Sequence, residues 1–112
     1  MTPATLALLL TAALCASGGQ LLFKIGASGR TALLEFINLP IVAGLALYAA
    51  ATVLWIYVLS TQALTTVYAF TVLTFALVYL GGVFLLGERL SPGGMAGTAL
   101  VLLGLFCITR YG

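Results

Sequence analysis

The sequence predicts an all-α membrane protein, a single domain over residues 1–112 in which four transmembrane helices form a small bundle that works as a dimer. Of the residues, 63% are hydrophobic and only 5% are charged, so a soluble domain would lack the charged surface that it needs. The four basic and two acidic side chains lie at the edges of four apolar stretches. Each stretch is about 20 residues long, which is enough for a helix to cross a bilayer.

The first span is expected at residues 4–25. Pro3 suits the first turn of a helix, where its missing N–H loses no partner. A signal peptide is the alternative, but the segment has no basic start, its apolar run is too long, and Lys24 stands where a cleavage site would be. We therefore predict a retained helix. A polar loop at 26–30 and a short amphipathic piece ending at Asn38 should follow it.

The other three spans are expected at residues 39–60, 65–86 and 92–109. Pro40 stands near the start of the second span, as Pro3 does in the first. The turn between the second and third spans is short and uncharged, which predicts a tight antiparallel hairpin.

Polar and aromatic residues recur at helical spacing along the first three spans. The three faces are Ser17, Gln20, Lys24; Tyr48, Thr52, Trp55, Leu59, Gln62; and Tyr68, Thr71, Phe75, Tyr79, Gly82. An unsatisfied polar group in hydrocarbon costs several kcal/mol, so these faces should turn toward protein or a wet cavity. We expect one lumen lined by the first three spans. For Ser17, Thr52 and Thr71, interhelical hydrogen bonds and packing are an equal alternative.

Small residues mark one face of the fourth span, at Gly93, Gly97 and Gly104. Small residues let membrane helices approach closely, and packing drives helix association in lipid. We predict that these glycines form a seam between subunits, because four helices alone are too few to enclose a sizeable substrate path. A packing surface within one chain is the alternative.

The basic residues are distributed unequally between the two ends of the spans. Lys24, Arg30 and Arg89 fall on one side of the membrane and Arg110 on the other. The positive-inside rule places the first group in the cytoplasm, although the small imbalance also allows dual topology. Lys24 lies one turn beyond Gln20, where it can bind an anion such as a lipid phosphate or can extend to the membrane interface.

Neither acidic residue lies deep in a span. Glu35 and Glu88 are both near predicted helix ends. Glu88 either pairs with Arg89 to fix the turn or binds a cationic head group. The absence of a deep carboxylate argues against proton-coupled export of cationic drugs, which needs a buried acid to exchange a proton for substrate.

The residue types give little support to catalysis, metal binding or nucleic-acid binding. The chain has no histidine, and its net charge of +2 is too small to suggest nucleic acid. Cys15 and Cys107 lie inside predicted spans and are interpreted as packing residues. We predict no catalytic residue, metal or cofactor, and thus no enzyme.

Several segments together resemble the small-multidrug-resistance-like, or EamA, branch of the drug/metabolite transporter superfamily. They are the residues 62–69 that open the third span, the residues 87–92 that close it, and the Gly97/Gly104 heptad. The resemblance covers nearly the whole chain and implies a dimeric bundle in the bacterial inner membrane. Drug exporters of this branch carry a glutamate eight residues before a lysine, where Ala16 stands here. Thr71, Leu73 and Phe75 replace their glycine-rich hinge and tryptophan.

The segment 17–24 is instead similar to the Ala-Gly-Gln-Leu-x-x-Lys pattern of undecaprenyl-phosphate aminoarabinose flippase subunits, which serve lipid A modification. Glu88, Ser91 and Pro92 match part of that group's His-Glu-Pro-x-Ser-Pro turn, whereas the intervening positions and Gly87 depart from it. The resemblance implies movement of a polyprenyl-phosphate-linked amino sugar by a homodimer, or by a heterodimer with a similar four-span chain.

The predicted substrate-binding residues are Lys24, Gln20, Arg30, Tyr68, Glu88, Arg89 and Trp55. The three basic residues would hold the phosphate, while Gln20, Tyr68 and Glu88 would contact the sugar. Two alternatives remain: an exporter of drugs, polyamines or metabolites, and a non-transporting assembly subunit.

Overall fold

The computed structural model describes residues 2–111, and it is all-helical over that range. The α-helices are α1 (Pro3–Ala27), α2 (Leu39–Leu59), α3 (Leu64–Ala69), α4 (Thr71–Leu85) and α5 (Pro92–Tyr111), and a 3₁₀ helix covers Leu33–Phe36. Within this range, α1, α2, the pair α3–α4, and α5 provide four stretches long and apolar enough to cross a membrane. The four predicted spans are thereby confirmed, and they are compatible with a multi-pass membrane protein. The dimer stays a prediction.

The first helix is longer than expected at its C-terminal end. It runs to Ala27, so the predicted loop at 26–30 begins two residues late. Ser28 then closes the helix, because both its backbone N–H (3.0 Å) and its hydroxyl (2.6 Å) donate to the carbonyl of Lys24. These bonds satisfy a carbonyl that the helix end would otherwise leave without a partner.

Helices α1 and α2 approach each other backbone to backbone at two glycines. A Cβ atom on Gly19 would lie 2.9 Å from the carbonyl oxygen of Gly44, and one on Gly44 would lie 2.8 Å from the ring of Phe23. Small residues permit this close approach of membrane helices. The sequence analysis assigned close packing to the fourth span and missed this contact.

The side chain of Asn38 joins the end of α1 to the start of α2. Its Nδ2 donates to the carbonyls of Gly26 and Glu35, both at 2.9 Å. Its Oδ1 accepts from the backbone N–H of Ile41 at 3.1 Å, which caps α2. One amide therefore fixes the angle at which the chain re-enters the bundle.

The third span covers Leu64–Leu85 and is interrupted at Phe70, an interruption that the sequence analysis did not predict. Helix α3 ends at Ala69 and α4 begins at Thr71. At the junction, the N–H of Phe70 bonds the Val67 carbonyl (3.0 Å) and the Thr71 hydroxyl bonds the Tyr68 carbonyl (2.7 Å). Hydroxyl bonds of this kind often bend a helix, although Thr52 makes one to the Tyr48 carbonyl without interrupting α2. Burial of the Phe70 ring, which packs in a core with Leu9, Val58 and Val67, holds the junction in place.

Helix α5 lies at the edge of the bundle, and none of its membrane-length window is buried. A Cβ on Gly93, Gly97 or Gly104 would meet no atom within 4 Å in the described part of the chain, whereas one on Gly94 would collide with the Tyr79 hydroxyl. Packing within one chain therefore involves Gly94, and the seam at the other three glycines stays a prediction.

Candidate functional site

Two cavities are lined by predicted site residues, and the larger of these lies among α1, α2 and the break in the third span. Its volume is about 400 Å³. Its lining residues are Leu9, Ala12, Ala13 and Ala16 of α1, Tyr48, Ala51, Thr52 and Trp55 of α2, and Tyr68, Phe70, Thr71 and Thr74. The first three spans line it, as expected for the lumen, but α1 contributes small and aliphatic residues rather than its polar face.

The larger cavity presents aromatic, aliphatic and hydroxyl groups, and no charged side chain from residues 2–111 lines it. Ala16 lies in its wall, at the position where the resemblance sets the glutamate of drug exporters. The rings of Trp55 and Tyr68 face each other with centroids 6.3 Å apart. The hydroxyl of Thr52 donates to its own helix at the Tyr48 carbonyl (2.9 Å), so it makes an intrahelical rather than an interhelical bond.

The smaller cavity lies where α1 and α4 approach their charged ends. Its volume is about 220 Å³, and its lining residues are Gln20, Leu21, Lys24, Val78, Gly82, Leu86 and Glu88. A cation, a carboxylate and an amide therefore share one cavity whose remaining walls are apolar. The side chains of Gln20, Lys24 and Glu88 are all exposed in the single chain.

Glu88 reaches this cavity because the chain folds back after α4. Gly87 adopts a left-handed φ of 71°, which favours glycine. The N–H of Glu88 then donates to the carbonyl of Gly82 at 3.0 Å. A Cβ on Gly82 would lie only 2.6 Å from Oε1 of Glu88, so the carboxylate occupies the space that a side chain there would fill.

Lys24 and Gln20 reach the cavity because α1 packs against two helices with different faces. Gly19 sets one face against α2. Leu21 sets the other face against α4, since a Cβ on Gly81 would lie 2.7 Å from Leu21 Cδ1. Gln20 and Lys24 are one turn apart on this second side and line the wall next to Glu88.

The structure divides the predicted substrate-binding residues into three places. Gln20, Lys24 and Glu88 line the smaller cavity, whereas Trp55 and Tyr68 line the larger one. Tyr68 lies before the break in the third span and Glu88 after α4, so they line different cavities, and the predicted contact of Tyr68 with the sugar stays a prediction. Arg30 and Arg89 are exposed in loops and line neither cavity. The Nε of Arg30 donates to the Gly26 carbonyl at 3.3 Å.

The sequence analysis missed the glycines that build the smaller cavity. The adjacent pair Gly81 and Gly82, inside an apolar helix, was the available signal, since such glycines mark close approach of other groups.

Cys15 and Cys107 are free thiols. Within residues 2–111, no group of three His, Cys, Asp or Glu residues could hold a metal ion. No family model, no curated protein and no solved structure matches this chain.

Proposed function

We propose that the chain is a subunit of a bacterial inner-membrane transporter that moves a polyprenyl-phosphate-linked amino-sugar lipid across the membrane. The observation that carries the proposal is the presence of Lys24, Gln20 and Glu88 in one cavity with apolar walls. The head group of such a lipid has a phosphate, an ammonium group and sugar hydroxyls. Each of the three side chains complements one of these groups.

Each of the three side chains can bind its part of the head group through charge or hydrogen bonds. The ammonium of Lys24 can donate to phosphate oxygens, the carboxylate of Glu88 can accept from the sugar ammonium, and the Gln20 amide can bind hydroxyls in either direction. Leu21, Val78 and Leu86 supply the apolar walls beside these three side chains.

In this proposal the protein binds only the head group of the lipid, because only the head group is unfavourable in the bilayer's hydrocarbon core. A charged head group is costly to move through hydrocarbon, whereas an isoprenoid tail is apolar and is stable in hydrocarbon. The protein must therefore shelter only the head group, and the tail lies in lipid along exposed helix faces. Arg30 and Arg89 lie outside the cavity at the same end and attract the phosphate to it.

The positions of the carboxylates and of α5 lead to expectations about the energy source and the partner. With no carboxylate in the middle of a span, we expect movement down the lipid's own gradient, driven by consumption at the far side. A second four-span chain, identical or similar, would close the path on the side of α5.

The test is transport in reconstituted vesicles that contain the amino-sugar lipid in one leaflet. A membrane-impermeant, amine-reactive reagent labels the lipid once its head group has crossed. Lys24→Ala should abolish labelling, and Lys24→Arg should keep part of it. Arg110→Ala, a cation removed at the other end, should leave labelling unchanged. Wild-type labelling in Lys24→Ala vesicles would refute the phosphate contact.

An exporter of small aromatic compounds is the second candidate, and the larger cavity is what favours it. Its volume and its four aromatic side chains, Tyr48, Trp55, Tyr68 and Phe70, suit a flat apolar or cationic ligand. Thermal stabilisation by aromatic dyes that is insensitive to Lys24→Ala would support this candidate. An assembly subunit would show neither kind of stabilisation and would copurify with a larger enzyme.

A further inference from the structure

The loop between α1 and α2 exposes a run of large apolar side chains. Leu33 is 87% exposed, Leu34 80%, Ile37 73% and Leu39 80%. The first three belong to the 3₁₀ helix or its immediate end, outside the four spans. A contiguous apolar patch of this kind is unfavourable in water and marks a surface that another apolar phase covers.

Five backbone N–H groups of the same loop are paired within it or with the end of α1. Its N–H groups donate within the segment as Ser28 to Lys24, Arg30 to Ala27, Thr31 to the Glu35 carboxylate, Glu35 to Ala32, and Ile37 to Leu34. Each N–H group that is paired within the segment lowers the cost of bringing the loop close to hydrocarbon.

The polar side chains of the loop are engaged on its own backbone. The carboxylate of Glu35 accepts from the Thr31 N–H at 3.3 Å, and the Asn38 amide donates to Gly26 and Glu35. Arg30 bonds the Gly26 carbonyl through Nε, which leaves the rest of its guanidinium available. The loop thus combines a free apolar edge with a cation at its base.

We propose that residues 31–38 lie in the interfacial layer of the bilayer, with Leu33, Leu34 and Ile37 among the acyl chains and Arg30 at the level of the lipid phosphates. The occupant of this surface is phospholipid. Continuity with the spans is the reason: α1 ends at Ala27, α2 begins at Leu39, and the Asn38 contact to Gly26 keeps the two ends together. Charge complementarity between Arg30 and anionic phosphates agrees with this depth. The proposal does not depend on the transported substrate.

The test uses a nitroxide spin label at Leu34→Cys, with Cys15 and Cys107 replaced by Ala, in phosphatidylethanolamine/phosphatidylglycerol vesicles. Collisions with oxygen, which concentrates in lipid, are compared with collisions with a water-soluble nickel chelate. We expect the ratio of oxygen to nickel collisions to be several-fold higher at Leu34 than at Thr61→Cys. Thr61 is the matched control because it is an exposed polar residue in the α2–α3 turn.

Two results would overturn the proposal. Equal nickel access at Leu34 and Thr61 would show that water covers the loop. Spin–spin broadening that disappears on dilution with unlabelled protein would show that a second copy covers it. If the cysteine-free chain does not fold, Leu34→Trp in a Trp55→Phe background gives the same answer. Lipids brominated in the acyl chain should then quench its fluorescence strongly, and absence of quenching would reject the lipid contact.

Discussion

The carboxylate of Glu88 lies directly on Gly82, and the backbone N–H of Glu88 donates to the Gly82 carbonyl at 3.0 Å. A glutamate at the end of a membrane span would ordinarily extend toward water. Here the missing side chain of Gly82 lets the carboxylate fold back beside α4 and line the cavity that Lys24 also lines. The position of the acid therefore depends on a residue that has no functional group.

Gly82→Ala should weaken recognition of the ammonium group. The added Cβ would lie 2.6 Å from Oε1 of Glu88, so the carboxylate must move. We expect about tenfold weaker binding of an amino-sugar polyprenyl phosphate, because hydrogen bonds to charged groups contribute about 1.5–3 kcal/mol. The affinity for the hydroxy-sugar analogue should not change. Thermal-shift titrations measure both, and an equal loss for the two ligands would contradict a specific role of Glu88.

Gly19→Ala should destabilise the protein, because its Cβ would meet the Gly44 carbonyl oxygen at 2.9 Å and backbone atoms cannot easily move. Overpacking of this kind costs about 1–3 kcal/mol. Gly18→Ala is the matched control: its Cβ would meet only Leu47 Cδ1, at an ordinary 3.5 Å. The midpoint of unfolding in detergent measures both variants. Equal midpoints would mean that α1 and α2 do not pack through Gly19.

The spans could be predicted from the sequence because hydropathy over a membrane-length window is a strong signal. All four starts agree with the observed helices to within one residue, at Pro3, Leu39, Leu64 and Pro92. The break at Phe70 carried no such signal. It has neither proline nor glycine, and the Phe70 ring at the junction is buried against residues of other helices, which no local pattern shows.

The candidate site could be predicted only in part. Helical spacing correctly associated Gln20 with Lys24, because residues one turn apart share a face. It could not show that this face of α1 packs against α4, or that Trp55 and Tyr68 line a different cavity, since the rotation of each helix is set by its packing. That rotation depends on the contacts of Gly19 and Leu21, which periodicity does not resolve.

Asn38→Ala should cost more stability than Asn38→Ser. Alanine removes both the cap of α2 and the two bonds to the Gly26 and Glu35 carbonyls. Serine is a good helix cap and keeps the first contribution, which is worth about 0.5–2 kcal/mol, but it has no amide to reach Gly26. Thermal unfolding of the two variants in detergent is the measurement. If they unfold together below wild type, the cap contributes nothing and the bridge between helices accounts for the whole effect.

Gly97→Leu should weaken self-association if α5 forms the seam between subunits. The site is open in a single chain, so a larger side chain adds no internal clash and interferes only with a partner helix. We expect about a tenfold higher dissociation constant, or about 1.4 kcal/mol, by sedimentation equilibrium in detergent. Ala99→Leu is the control, because at 3.6 residues per turn it lies about half a turn away around the same helix. Equal dissociation constants would remove Gly97 from the seam.

Ala16→Glu should give the larger cavity the charge that it lacks. Ala16 lies in the cavity wall with Tyr48 and Trp55, so an added carboxyl there can reach a ligand held by the aromatic rings. We expect the wild type to bind a cationic aromatic dye and its neutral isostere about equally, and the variant to favour the cation about tenfold or more. Ala16→Gln, which has the same size and no charge, is the control. Identical dye binding by the two variants would show that ligands do not reach Ala16, and the smaller cavity would then be the one to pursue.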